Sequence, residues 1–314
     1  MNPSELKAAY ERGENISAIL RKSFGSLINT EELIEISYDL QAGSYVRAMQ
    51  NPVNASHVNN YAREIAHLLH QYGRPTSLLE AGVGEATTLA RVLQSYGSDQ
   101  IEVHGFDLCW SRIHRARGWL VHEGLLEVTL STASLRRIPY ADNSFDVVYT
   151  SHSIEPNGGV EAEILAELYR VASRYLILLE PVYELATLEA QARMAQHGYC
   201  RDLRGHAERM GLNVVAYELF PFIRNPLNPT GLLIVEKDSA RSTARPTFQC
   251  PKYRTPMIKH EQGYYSPEGF CVYPILAGIP CLRIENSIIA SLFSTEVAEG
   301  RDAPGNLALT LPPQ

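Results

Sequence analysis

From Ser77 onward the chain alternates short apolar runs with amphipathic stretches, a rhythm that few architectures accommodate. The runs are SLLEA (77–81), IEVHGFD (101–107), LEVTLS (126–131), FDVVYTS (145–151) and YLILLEP (175–181). Between them stand ATTLARVLQSY, CWSRIHRARGWLVHEG and VEAEILAELYRVAS, with apolar residues spaced three and four apart. Near-continuous apolar strands separated by helices predict a parallel sheet covered on both faces, an open doubly wound α/β sheet. Two further runs, 213–220 and 231–237, follow the helical candidate RDLRGHAERMG and are expected to pair as a closing antiparallel ribbon.

The flanks read differently. Residues 1–74 carry three helical patterns with a Ser or Thr near each start and predict an N-terminal helical cap on a core of 75–240. The polar stretch 238–247 reads as a linker. Residues 246–285, with closely spaced Pro and Gly between short β-type runs, predict a small β-ribbon module. Residues 286–314 are expected to hold a helix over IENSIIASLFSTEVAEG and a loose tail. At 314 residues there is room for one sizeable core and one small module.

Charge narrows the partners. The net charge is −7, and the nearest basic cluster, Arg112, His114, Arg115 and Arg117, is too small to track phosphates, so nucleic acid is disfavoured. No apolar run reaches the roughly 20 residues of a membrane span, and the first residues are too polar for a signal peptide, so no membrane partner and a cytoplasmic address are expected. The five cysteines are irregularly spaced, as reduced thiols are.

The chemistry centres on LLEAGVGEATTL, 78–89, an apolar strand that ends in a glycine turn opening a helix. Gly82 and Gly84 permit backbone conformations and a ligand approach that a Cβ obstructs. Any tight strand-to-helix turn can produce such a loop. The next strand, however, ends in Asp107, where a carboxylate can accept from both ribose hydroxyls, and the two features together define a nucleoside site. No third glycine follows to clear the way for a pyrophosphate.

With these residues the chain resembles the class I S-adenosylmethionine-dependent methyltransferases. EAGVGEATT is similar to their first motif, with Ala86 at the place of the last glycine. Asp107 matches the second, IPYADNSFDVVYTSHSIEP the third and fourth, and RVASRYLILLEP the segment after them. The resemblance implies a Rossmann-like sheet, mostly parallel with an antiparallel last strand, and S-adenosyl-L-methionine as cofactor. It assigns Glu80 to the methionine end, Gly82 and Gly84 to the loop beneath it and Asp107 to the ribose. Ser134 and Leu135 fall by the adenine, although many relatives have an acidic residue at the place of Ser134; Ser151 falls at the mouth of the fourth strand. Tyr38, Gln41 and Tyr45 belong to a cap that in such enzymes often folds over the cofactor, or they pack a helix onto the sheet.

The fourth strand runs into TSHSIEPNGG. His152 and Glu155 are the candidate bases there; otherwise His152 bonds a loop and Glu155 caps the next helix. The segment lacks the NPPY of amide and adenine N-methyltransferases. The favoured activity is methylation of an oxygen or nitrogen on a small-molecule acceptor. A tRNA- or protein-directed methyltransferase and a catalytically silent cofactor-binding scaffold are the alternatives.

In the last part, CPKYRTPM and VYPILAGIPCL resemble the zinc-ribbon module known as an activating subunit of tRNA and release-factor methyltransferases. Of its four ligand places only Cys250 keeps a ligand; Tyr253, Ser266 and Gly269 stand in the others. A structural zinc needs four Cys or His ligands, so no metal is expected. The module then offers a face for homo-oligomerisation.

Overall fold

The structure is a computed structural model that describes residues 3–72, 74–97, 101–238 and 245–294. Seven strands form the main sheet: β1 (Ser77–Ala81), β2 (Glu102–Asp107), β3 (Val128–Thr132), β4 (Phe145–Ser151), β5 (Ala172–Pro181), β6 (Asn213–Leu219) and β7 (Thr230–Glu236). Their order is β3-β2-β1-β4-β5-β7-β6. Strands β1 to β5 run parallel, and β7 is antiparallel to both β5 and β6. The expected doubly wound sheet with an antiparallel closing pair is the one that forms. The strand order reverses between β1 and β4, and ligands bind at the carboxyl ends beside such a reversal.

Alternation along the strands makes two cores. Leu78, Val147, Tyr149, Ile177 and Ile234 face one side, and Leu79, Val148, Leu176, Leu178 and Val235 the other. Full burial of each such side chain contributes roughly 1.5–3 kcal/mol, which pins the register because a one-residue slip exchanges the two faces. Five helices precede the sheet: α1 (Pro3–Glu11), α2 (Ile16–Phe24), α3 (Glu31–Leu40), α4 (Ser44–Ala48) and α5 (Pro52–Gln71). Side chains of Asn15, Thr30 and Asn51 accept from the first free amides of α2, α3 and α5. Leu6, Ala9, Ile16, Leu20 and Leu33 form a separate small core. Helix α5, by contrast, packs Tyr61, Ala62, Ile65 and Leu69 into the first face of the sheet.

The remaining helices are α6 (Thr87–Tyr96), α7 (Trp110–His122), α8 (Glu161–Val171), α9 (Leu188–His197) and α10 (Leu203–Arg209). Helices α6 and α7 share the face of α5, and α8 and α10 cover the other. Sequence reasoning missed α9, which Thr187 and Gly198 bracket as caps, because only Ala190 and Met194 of its residues are buried.

The last part forms a second, antiparallel sheet of β8 (Ile258–Lys259), β9 (Gly263–Ser266), β10 (Cys271–Leu276), β11 (Ile279–Pro280) and β12 (Ile288–Ile289). One expectation fails here. The first part of the helix read over IENSIIASLFSTEVAEG is instead a 3-10 turn at Ile284–Asn286 followed by β12, which pairs with β10, while Phe293 and Ser294 are helical. The Ser287 hydroxyl donates to the Ile284 carbonyl and closes the turn, and the two β-branched isoleucines suit the open edge of β10. The rest of that segment and the tail, 295–314, lie outside the described residues, as do 239–244 of the expected linker.

Among the described residues no group of three or more His, Cys, Asp or Glu side chains is placed to hold a metal ion. In this sheet Cys250, Cys271, Tyr273 and Leu282 make an apolar core, and a Cβ on Gly269 would lie 2.8 Å from the Tyr253 ring. Backbone pairing joins this sheet to the larger one. Leu282 N donates to Thr132 O (2.9 Å), Cys281 and Thr132 form a parallel bridge beside β3, and Arg117 donates to Ala277 O. The edge of β3 is thereby covered.

Candidate active site

The carboxyl ends of β1, β2 and β4 open into a cavity of about 580 Å³, roofed by α3 and α4 and flanked by α5 and the loop between β6 and β7. Its floor is the turn after β1. Gly82 and Gly84 have φ of 81° and 57°, and both line the cavity. A Cβ on Gly82 would meet Ser153 Cβ at 2.1 Å, and one on Gly84 would meet the Arg112 guanidinium at 2.7 Å. Ala86 keeps the left-handed backbone of the glycine it replaces, with φ 56°.

Asp107, at the end of β2, accepts from Gly84 N and Cys109 N, both at 2.9 Å. The carboxylate is thus held against the glycine turn with lone pairs left for a ligand. Glu80 is buried at the end of β1 and accepts from the Tyr149 hydroxyl at 2.6 Å. Burial pushes its carboxyl up to about 8, against the lowering by Tyr149, and the Asp107 charge adds to the rise.

The roof is latched to the floor. Glu85 accepts from Gly43 N and Val46 N, each at 2.8 Å, tying the start of α4 to the glycine turn. Tyr38 and Tyr45 stack on Arg112 at 4.9 and 4.7 Å. Besides the raised Glu80, five carboxylates line the cavity, Glu31, Glu35, Glu85, Asp107 and Glu155, a field that favours a cationic ligand.

His152 follows β4 with φ 55°. Its Nδ1 lies 2.5 Å from Glu155 Oε2 and its Nε2 2.7 Å from Thr230 Oγ1. Burial alone lowers the imidazole pKa, but the hydrogen bond and charge of Glu155, with Glu180 behind, outweigh it and leave His152 above its ordinary value. Glu155 is lowered despite its burial, by His152 first and then by Tyr199 and Asn228. Glu155 thus favours the charged form of His152, and both ring nitrogens are occupied.

Of the residues singled out in the sequence, Glu80, Gly82, Gly84, Asp107, Leu135, Ser151, Tyr38, Tyr45, His152 and Glu155 line this one cavity. Ser134 and Gln41 do not. The Ser134 hydroxyl donates to Glu31 and accepts from Arg136 N, and Gln41 Nε2 donates to Ser37 O at 3.0 Å. Sequence reasoning missed Glu31, Arg112 and Thr230, along with His57, Tyr61 and the Phe222–Asn228 loop. Only tertiary folding brings them here: the Tyr61 hydroxyl meets Ser151 Oγ at 3.1 Å across 90 residues of chain.

Residues 78–174 match the family described as methyltransferase domain. The matched segment is a methyltransferase domain. Solved structures similar to the chain include magnesium protoporphyrin IX methyltransferase from Synechocystis PCC 6803 with bound SAH, 14% identical with a TM-score of 0.48 over 65% of this chain and 99% of that one. A SAM-dependent methyltransferase from Aquifex aeolicus is 18% identical with a TM-score of 0.37, covering 51% and 81%. The [4+2]-cyclase SpnF is 16% identical with a TM-score of 0.46, covering 57% and 81%. No curated protein matches the chain. No helix among the described residues is long and apolar enough to cross a membrane.

The methyltransferase domain match spans β1 to the start of β5, so it includes Glu80, both glycines, Asp107, His152 and Glu155. The α5 residues and the β6–β7 loop, which complete the cavity, lie outside it.

Proposed function

We propose that this chain transfers the methyl group of S-adenosylmethionine to an oxygen or nitrogen of a small-molecule acceptor. The observation that carries the reading is one cavity in which a nucleoside site and a set of polar groups meet on opposite sides of β1. On the β2 side, Gly84 and Asp107 suit a ribose. On the β4 side, Ser151, Tyr61, His57 and Thr230 suit an acceptor. The cavity's acidic lining favours a sulfonium and disfavours the phosphates of a nucleic acid.

The residues fit the cofactor on the structure's own terms: two glycines that tolerate no side chain, a carboxylate braced by two amides, and a cavity-lining guanidinium whose Nε lacks a partner. S-adenosylmethionine supplies an electrophilic methyl group when bound. Of the residues lining the cavity, Asp107 would hold the ribose, Glu80 would face the methionine ammonium and Leu135 would pack by the adenine. Ser134, the residue at the family's common acidic place, holds Glu31, so a carboxylate reaches the adenine side from α3.

The acceptor side works by alignment, which by itself contributes large factors to an in-line displacement. His152, bonded through both ring nitrogens, positions Glu155 and the start of β7. His57 is the better proton acceptor, because burial and the Arg224 charge lower its pKa and keep it neutral, stacked on Tyr61. All five cysteines are free and buried, in keeping with a cytoplasmic enzyme. The C-terminal sheet, residues 246–285 with β12, exposes Ile288 and Ile289 as the face for self-association.

Calorimetry with S-adenosylhomocysteine tests the cofactor half. Asp107→Ala loses charge-assisted hydrogen bonds worth roughly 1.5–3 kcal/mol each, so affinity falls at least about tenfold. Equal affinity in wild type and variant refutes the assignment. Methyl transfer from labelled cofactor to small hydroxyl and amine acceptors tests the other half; transfer to tRNA or protein alone overturns it.

A further inference from the structure

Arg112 is out of place for a surface helix. It sits on the first turn of α7, is only 8% exposed, and lines the cavity. Its Nε is buried with no hydrogen-bond partner, and no carboxylate among the described residues lies within ion-pair distance of its guanidinium. What holds it is aromatic: the Tyr38 and Tyr45 rings, at 4.9 and 4.7 Å. Cation–π contacts fix the plane of a guanidinium but accept none of its five N–H donors in the plane. Leaving the buried Nε–H dry is costly, and the surroundings offer negative charge nearby, Asp107 and Glu85, without an ion-pair contact.

The missing acceptor is therefore an anion that arrives with a ligand. The position of Arg112 says which part of it. The guanidinium lies against Gly84, where a Cβ would come within 2.7 Å, and under the cap tyrosines, over the floor on which the cofactor reading lays its ligand. The acceptor groups His57, Tyr61 and Thr230 belong to the other side of β1. On the strength of that cofactor reading, the geometry points to Arg112 as the residue that binds the α-carboxylate of the cofactor's amino-acid end. Glu80 and Arg112 then bracket a zwitterion, the carboxylate facing the ammonium and the arginine facing the carboxylate. The pair also orients the ligand, since Arg112 repels the sulfonium.

The test is a cycle between residue and ligand. S-adenosylhomocysteine and its decarboxylated analogue, which keeps the amine and lacks only the carboxylate, are titrated calorimetrically into wild type and Arg112→Met. Wild type is expected to prefer the carboxylate form by about 10- to 100-fold, and the variant by less than about threefold. Equal losses for both ligands make Arg112 a latch on the cap and overturn the inference, as does an undiminished preference. Wild type that binds neither ligand refutes the cofactor reading, and the inference falls with it. Should the variant not fold, the Arg112 Nε–H resonance of wild type decides: it shifts with S-adenosylhomocysteine and stays put with the analogue, and equal shifts overturn the assignment.

Discussion

Arg283, after β11, and Glu35 of α3 are paired at 2.5 Å, and Glu35 lines the cavity. The arginine side chain is only 10% exposed, so the pair is more than a surface contact. It joins the last part of the chain to the roof of the site. Arg283→Met is expected to lower stability by about 1–3 kcal/mol and to weaken S-adenosylhomocysteine binding several-fold, because the roof loses an anchor. Thermal denaturation and calorimetry check both. Unchanged affinity in a folded variant removes the coupling.

The His152–Glu155 pair sets a pH window. A histidine raised in the folded state stabilises it fully below the unfolded value, 6.5, and that share is lost as pH rises through the higher folded value. Glu155 is lowered, so its share is present above 4.5 and is lost as pH falls through its folded value. The pair therefore stabilises most between about 4.5 and 6.5. NMR titration should find His152 with a midpoint above 6.5, and Glu155→Gln should bring it below. A midpoint at or under the ordinary value in wild type would restore His152 as a base.

Glu80 titrates in the opposite sense. Its carboxyl is pushed up to about 8, so the folded protein binds a proton there that the unfolded chain releases near 4.5. Stability from this group declines as pH rises between those values. Near pH 7 the site begins mostly protonated, and an ammonium placed beside it favours ionisation. Cofactor binding should release a proton, up to roughly 0.9 per site at pH 7. Calorimetry in buffers of different ionisation enthalpy measures it, and Glu80→Gln should abolish it.

Gly82→Ala is expected to cost about 2–4 kcal/mol and cofactor binding. The new Cβ would sit 2.1 Å from Ser153 Cβ, and Ser153 cannot yield, since its Oγ donates to Ala81 O at 2.7 Å and its N to Glu180 at 3.0 Å. Gly97→Ala is the control. It has a similar φ, 68°, with nothing within 4 Å of the Cβ, and should cost only about 1 kcal/mol. Denaturant unfolding of the two variants separates collision from backbone strain.

By itself the sequence determined the sheet and its glycine turn, because both are written in local pattern. Strand alternation decides which side chains face each core, and Gly82, Gly84 and Asp107 lie within 26 consecutive residues, 82–107, that form one strand–turn–helix–strand unit. Only tertiary structure decided what those residues do. His152 reads as a candidate base, and only the fold shows Glu155 and Thr230, the latter 78 residues away, on its two ring nitrogens. Ser134 reads as a departure until Glu31 arrives from α3, and Arg112 as part of a basic surface cluster until Tyr38 and Tyr45 enclose it. The start of the helix expected near the C-terminus gave way to a strand for the same reason: β10 offered Ile288 and Ile289 a ladder that the local apolar pattern cannot announce. Charge state, burial and hydrogen-bond partners belong to pairs of distant segments, and no spacing along one segment encodes them.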